Sequence, residues 1–287
     1  MVHAVRSRTG CRDVPVILVT VRGVPDWVPA ARLLGRGEWE LGPEGWTARL
    51  DRDTAADVVA RLRNVGLGGQ LLDVTTRPRL KRTAVRAGRT RDARARRTTT
   101  PGFIARDTRL DDEGRWSLTP EALAVELAAP WAGCRVVDAT CGAGGNAIAF
   151  ARAGCTVVAI DTDAARLALA QHNAGVYRVQ DRIQFVLGDA FDLVPRHPAD
   201  LLFVDPPWGT EWNRTRTAPE DLPPLPALLA MSAPALIAKV PPSFDPRTVP
   251  GAVPQAWFGR ADGDRHRIKF VTVSVGTPPD RASATPR

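Results

Sequence analysis

Lysine is scarce in this chain: it stands only at positions 81, 239 and 269, against 36 arginines. With abundant alanine and proline, this usage suggests a GC-rich genome and concerns codons rather than chemistry. Paired cysteines are also missing. Cys11, Cys134, Cys141 and Cys155 form no CxxC pair and no Cys/His ligand spacing, which speaks against a disulfide framework and a zinc site and favours a reducing, cytoplasmic setting. No apolar run approaches the roughly 20 residues of a membrane span. Arg6, Arg8 and Arg12 lead into no apolar segment before Pro15, so neither a secretory leader nor a membrane partner is expected.

Acidic residues are short in one half only. Residues 1–115 carry 23 Lys/Arg against 14 Asp/Glu, a balance of +9, whereas residues 116–287 carry 16 against 17. The excess peaks between Arg77 and Arg97, where ten basic residues face the single acid Asp92. Guanidinium groups suit phosphate oxygens and displace condensed counterions, so the stretch reads as an RNA-contacting arm or as a solvated linker, and one segment can be both.

Composition divides the 287 residues into a small and a large unit. Residues 1–13 read as a flexible tail. Residues 14–76 read as a small α+β domain, a candidate RNA-binding unit, with strands over Pro15–Arg22, Trp46–Leu50 and Gln70–Thr75. Its helix, Thr54–Val65, carries Asp53 as its expected cap and Gly66 as its expected stop. Residues 77–115 read as an Arg-rich linker and 277–287 as a disordered tail. From 116 to 276 strands and helices alternate: strands at 135–139, 156–160, 183–187, 201–204, 235–240 and 268–275, with helices at 120–128, 146–153, 164–174 and 225–231. Thr119 is expected to cap the first of these helices, with Pro120 at its first position. Such alternation gives a doubly wound, mostly parallel α/β sheet whose ligand sits beyond the carboxyl ends of its strands.

Those ends carry the chemistry. Strand Val136-Val137 runs into Asp138 and a glycine loop, Gly142-Ala143-Gly144-Gly145-Asn146, whose amides can approach a ligand at a helix start. The next strand ends at Asp161, positioned to grip ribose hydroxyls, and the third at Gly188-Asp189. The fourth, Leu201–Val204, ends in Asp205-Pro206-Pro207-Trp208. The glycine pattern alone also fits a dinucleotide site. The four acids and the tetrapeptide favour S-adenosyl-L-methionine and transfer of its methyl to a planar amine. In that chemistry Asp205 and the Pro206 carbonyl accept from the amine while Trp208 stacks on the ring. Trp212 offers a second face or plain packing; His172 and His266 read as structural rather than catalytic. No metal is expected.

Ser117-Leu118-Thr119-Pro120-Glu121, the runs Val136–Asn146, Val158–Asp163 and Ala168–Tyr177, and Pro206-Pro207-Trp208-Gly209 resemble the RNA cap guanine-N2 methyltransferase family, the trimethylguanosine synthase group. The likeness covers about residues 116–275 and implies a seven-stranded Rossmann-like methyltransferase sheet. It further implies that Asp138, Gly142 and Gly144 line the methionine end of the cofactor, Asp161 the ribose and Asp189 the adenine edge, with Asn146 also among the cofactor-binding residues. Thr119-Pro120 would close the pocket, and Trp208 would stack on guanine. Two departures stand out: the cap enzymes have serine where this chain has Asp205, and residues 1–115 match nothing in the family. They imply guanine N2 in rRNA or tRNA in preference to capped RNA, with adenine, a small molecule or a protein side-chain amide as the alternative acceptor.

Overall fold

The computed structural model describes residues 16–209 and 212–279. The expected tail 1–13 and all but the first three residues of the expected tail 277–287 lie outside the described residues.

The N-terminal unit comprises β1 (Val16–Arg22), α1 (Ala30–Leu34), β2 (Glu40–Gly42), β3 (Gly45–Asp51), α2 (Arg52–Leu62), the hairpin β4 (Gly66–Leu67) and β5 (Gln70–Leu71), β6 (Asp73–Arg77) and α3 (Arg82–Ala95). Its main sheet is antiparallel in the order β2-β3-β1-β6. The inward residues of β1, Ile17, Val19 and Val21, meet Val58, Val59 and Leu62 of α2 in one core. Asp51, not Asp53, caps α2, accepting from the Asp53 and Thr54 amides, and the helix stops at Arg63, before Gly66. The single strand expected over 70–75 is broken in two at Leu72.

The Arg-rich stretch is not a linker over most of its length. Residues 82–95 form α3, and Ala84 and Gly88, one helical turn apart, are buried against α2. A Cβ at Gly88 would stand 2.5 Å from the Ala56 carbonyl oxygen, so only glycine permits the two backbones to approach this closely. The small-residue stripe was hidden beneath the density of charge. Nor does the remainder of 77–115 hang free. Thr100 is buried and donates to Asp264 (2.8 Å), and the Arg109 amide donates to Asn173 Oδ1 (2.7 Å).

The large unit follows: α4 (Gly114–Ser117), α5 (Glu121–Ala128), β7 (Arg135–Asp138), α6 (Gly145–Arg152), β8 (Thr156–Asp161), α7 (Ala164–Val176), β9 (Ile183–Leu187), α8 (Ala190–Leu193), β10 (Leu201–Val204), α9 (Leu225–Leu229), β11 (Leu236–Val240), β12 (Val253–Phe258) and β13 (Ile268–Val275). Its seven strands lie in the order β12-β13-β11-β10-β7-β8-β9, all parallel except β13, which runs antiparallel to both neighbours. β12 is the strand that the alternation did not reveal. It contains Pro254 and its register with β13 shifts between Trp257 and Phe258, which turn to different cores: Trp257 to the large unit's and Phe258 to that of the N-terminal unit.

All four residues of β10 are buried. Leu201 and Phe203 pack into the core beneath α5 and α6, while Leu202 and Val204 pack into the core beneath α8 and α9. An unbroken apolar run is what a strand covered on both faces requires, each such side chain contributing about 1.5–3 kcal/mol. The chain lays β7, β8 and β9 outward in one direction and then returns to place β10 on the other flank of β7. This reversal between β7 and β10 opens a crevice at their carboxyl ends.

Candidate active site

Two strand ends define the crevice. Asp138 closes β7 and Asp205 follows β10, and the Thr140 side chain links them by accepting from the Asp205 amide (2.7 Å). Asp138 is fully buried, and its Oδ2 has no hydrogen-bond partner. Burial, reinforced by the neighbouring Asp205 charge, pushes its carboxyl up to about 8. An orphaned buried carboxylate of this kind calls for a cationic or amine-bearing ligand.

The glycine loop surrounds it. Gly144, at φ +89°, begins α6, and a Cβ there would lie 3.0 Å from Ala170 of α7, so the loop must be glycine for α7 to pack. Gly142, at φ +51°, has open space where a side chain would be, which leaves its backbone accessible. Its amide donates to Asp161 Oδ2 (2.8 Å), and Asp161 Oδ1 accepts from the Asp163 amide (2.9 Å). Asp161 is thus held in a fixed orientation at the end of β8. The Gly188 amide donates to the Asp161 carbonyl (3.0 Å), which sets the loop bearing Asp189 beside it. The exposed Asp189 caps α8 by accepting from Phe191 N (2.8 Å).

The segment before α5 covers the crevice. The Leu118 side chain lies 2.5 Å from the point a Cβ on Gly145 would occupy, so 117–120 lie against the start of α6. Pro120, not Thr119, is the N-cap of α5, and Thr119 makes no capping bond. Its buried hydroxyl has no partner, and neither does Asn146 Oδ1 at the first turn of α6. Four unsatisfied polar atoms, from Thr119, Asp138, Asn146 and the indole nitrogen of Trp208, therefore come from the segments that border this crevice.

Lys239 was not among the sequence candidates. It lies on β11 with 5% of its side chain exposed, and its Nζ donates to Asp205 Oδ2 (2.6 Å) and to the Ser117 carbonyl (2.8 Å). The same ammonium stands 5.6 Å from the centre of the Trp208 ring and 5.4 Å from that of Phe270. One cation thereby ties the acceptor tetrapeptide to the covering segment. Asp205 is subject to opposed effects: burial raises its carboxyl and Lys239 lowers it, with burial the larger. A single charge inside the apolar run Leu236-Ile237-Ala238-Lys239-Val240 was the available signal. An uncompensated lysine is almost never found in such a strand.

Trp208 is half-buried and meets Trp212 edge-on, centroids 5.9 Å apart; Arg214 lies over the Trp212 ring. Trp116, 90% exposed, adjoins the Ser117 carbonyl that Lys239 holds. The histidines are structural in their contacts. His172 Nε2 donates to the Asp107 carbonyl, and His266 Nδ1 donates to the Arg32 carbonyl.

The acceptor side is braced by the N-terminal unit. Gly68 and Gly69 donate to the carbonyls of Pro242 and Ser243, and a Cβ at Gly66 would run into the Arg214 carbonyl. Ser243 and Thr217 both donate to the Asn213 carbonyl. The β4–β5 hairpin therefore abuts the segment that continues from Trp212.

Residues 133–217 match the family described as RNA cap guanine-N2 methyltransferase. The trimethylguanosine synthase of Schizosaccharomyces pombe is 34% identical over 110 residues, covering 35% of this chain and 46% of that protein. A release factor glutamine methyltransferase from Gloeobacter violaceus is 36% identical over 88 residues, covering 30% of this chain and 31% of its own length. A 23S rRNA (uracil(1939)-C(5))-methyltransferase from an Azoarcus species is 35% identical over 89 residues, covering 29% and 21%. This chain spans less than half the length of each of these relatives.

Proposed function

We propose, from the premise that residues 133–217 carry the sequence of the RNA cap guanine-N2 methyltransferase family, that this protein methylates an exocyclic amino group of a base in RNA, guanine N2 foremost. The observation that supports this reading most directly is the pairing of two half-sites across one switch point. Asp138 and the glycine loop form one, Asp205-Pro206-Pro207-Trp208 the other, and Thr140 joins them. S-adenosyl-L-methionine, when bound, supplies a methyl already activated on a sulfonium. The orphaned carboxylate of Asp138 suits its amine-bearing end, Asp161 its ribose hydroxyls, and Asp189 its adenine amino edge; Asn146 and Thr119 supply further polar atoms.

Positioning then accounts for most of the catalysis, because the methyl needs no further activation. Lys239 occupies Asp205 Oδ2, which leaves Oδ1 to accept from the base amine. The Pro206 carbonyl supplies a second acceptor, and Trp208 supplies a ring face. Two acceptors on one NH2 group hold it with its lone pair turned towards the methyl. Asp205 can take the released proton, since burial already raises its carboxyl. Asp205, where the cap enzymes have serine, and the basic N-terminal unit favour rRNA or tRNA over capped RNA. The cytoplasm is the matching compartment; among the described residues no helix is long and apolar enough to cross a membrane.

The likeness to a release factor glutamine methyltransferase makes a protein side-chain amide the second reading. Incubating the protein with labelled S-adenosyl-L-methionine and total RNA, followed by nucleoside analysis, separates the two. Label in N2-methylguanosine is expected. Label in N6-methyladenosine would move the acceptor to adenine, and label in protein with none in RNA would replace the reading.

A further inference from the structure

A cleft of about 930 Å³ lies away from the candidate active site, in the N-terminal unit where β6 and α3 meet the end of α2. Arg63, Arg79, Arg82, Arg86 and Arg89 line it, and no acidic residue does. None of the five side chains makes a hydrogen bond or ion pair among the described residues. The other face of α3 is unlike this one: Arg91 pairs with Asp53 and Asp57, and Asp92 pairs with Arg96 and Arg267. The helix thus separates its charges into a compensated face towards the protein and an uncompensated face towards the cleft. Gathering five like charges around one concavity opposes folding, and among the described residues no acidic side chain pairs with them.

We infer that this cleft is a docking site for the phosphate backbone of single-stranded RNA. Arg82, Arg86 and Arg89 share one face of α3 and span about 10 Å along its axis, at about 1.5 Å per residue. A row of that length suits successive phosphates along a strand better than one isolated phosphate. The guanidinium fork matches phosphate oxygens bidentately. Between the arginines, Val59, Val74 and Val85 provide an apolar floor on which ribose and base can rest. The unit bearing the cleft also abuts the acceptor segment through Gly66–Gly69, so a strand held here remains attached to the domain that methylates it. The assignment takes RNA as the substrate class from the proposed function.

The test uses the full chain and a labelled, mixed-sequence single-stranded RNA of about 16 nucleotides, with affinity measured by fluorescence anisotropy between about 50 and 200 mM salt. Replacing Arg82, Arg86 and Arg89 by alanine removes three phosphate contacts. The slope of log K against log salt then becomes shallower by about 2, at about 0.7 per contact on a single strand, and affinity at low salt falls at least about tenfold. Arg86→Ala alone makes it shallower by about 0.7 with little demand on folding, since its side chain is exposed and unpaired. A control triple, Arg178→Ala, Arg182→Ala and Arg196→Ala on the large unit, keeps nearly the wild-type slope. Equal slopes and affinities in wild type and cleft triple overturn the docking site while leaving the proposed function standing. An equal loss in both triples also overturns it, since the attraction would then be diffuse. Failure of the wild-type protein to bind RNA at all overturns both, and binding to anionic vesicles in place of RNA does the same.

Discussion

Replacing Lys239 by methionine removes the cation that pairs with the acceptor tetrapeptide, while keeping an unbranched side chain of similar length in the β11 core. Asp205 is then left beside Asp138 with no counter-charge, and its Oδ2 loses a partner at 2.6 Å. Breaking a buried pair by removing one partner costs about 3–5 kcal/mol. The Asp205 side chain keeps 16% of its exposure, which places the expected loss near the lower end, about 3 kcal/mol. Against a typical total of about 5–15 kcal/mol, such a loss is plain in urea unfolding followed by tryptophan fluorescence. Asp205 has an escape, because it can take up a proton. Without Lys239 its folded pKa rises further above the unfolded value, so the deficit is full above the folded pKa and is recovered as pH falls towards the unfolded one. Changing Asp205→Asn in the same molecule removes the stranded charge, so the double variant is more stable than Lys239→Met alone at neutral pH. A loss below about 1 kcal/mol, a pH-independent deficit, or a double variant no better than the single would each refute this account of the pair.

Asp138 supplies a second pH effect. Its folded value of about 8 lies above the unfolded one of about 3.9, so its contribution to stability is full below about pH 4 and is lost as pH rises to about 8. Asp138→Asn should flatten stability across that window and weaken S-adenosyl-L-methionine binding. In the wild type, binding near pH 7 should release a proton, detectable by calorimetry in buffers of different ionisation enthalpy; a heat independent of buffer would contradict it. Trp208→Ala should cost about 1–3 kcal/mol in kcat/KM for RNA with cofactor affinity retained, and Trp208→Phe should recover most of it. A full rate in the alanine variant would remove stacking from the mechanism. Gly66→Ala drives a Cβ into the Arg214 carbonyl and displaces the segment that follows Trp212, so kcat should fall about tenfold to a hundredfold while cofactor binding holds. An unchanged kcat would mean that the hairpin braces nothing catalytic.

Much of the large unit was legible because its signals are local. Buried parallel strands announce themselves as short apolar runs, and Ile183–Leu187, Leu201–Val204 and Ile268–Val275 stand where the pattern put them. Glycine loops and acids at strand ends are also short-range features, so Asp138, Gly142, Gly144, Asp161, Asp189 and Asp205 could be singled out without coordinates. What failed depended on distant partners. β12 is split between two cores, α3 is held by a small-residue stripe that matters only because α2 lies opposite, and Thr119 gives up its cap because the covering segment turns before α5.

The sequence by itself determined the doubly wound sheet, the order of the acids along it and the residue types of the acceptor tetrapeptide, because backbone periodicity and strand-end chemistry are written in neighbouring residues. Only the tertiary structure decided that Lys239 pairs with Asp205 from 34 residues away, that Oδ2 of Asp138 is left without a partner, and that the unpaired arginines of one stretch line a single cleft with Arg63. Charge compensation and desolvation act through space, and a linear pattern does not record which side chains meet there.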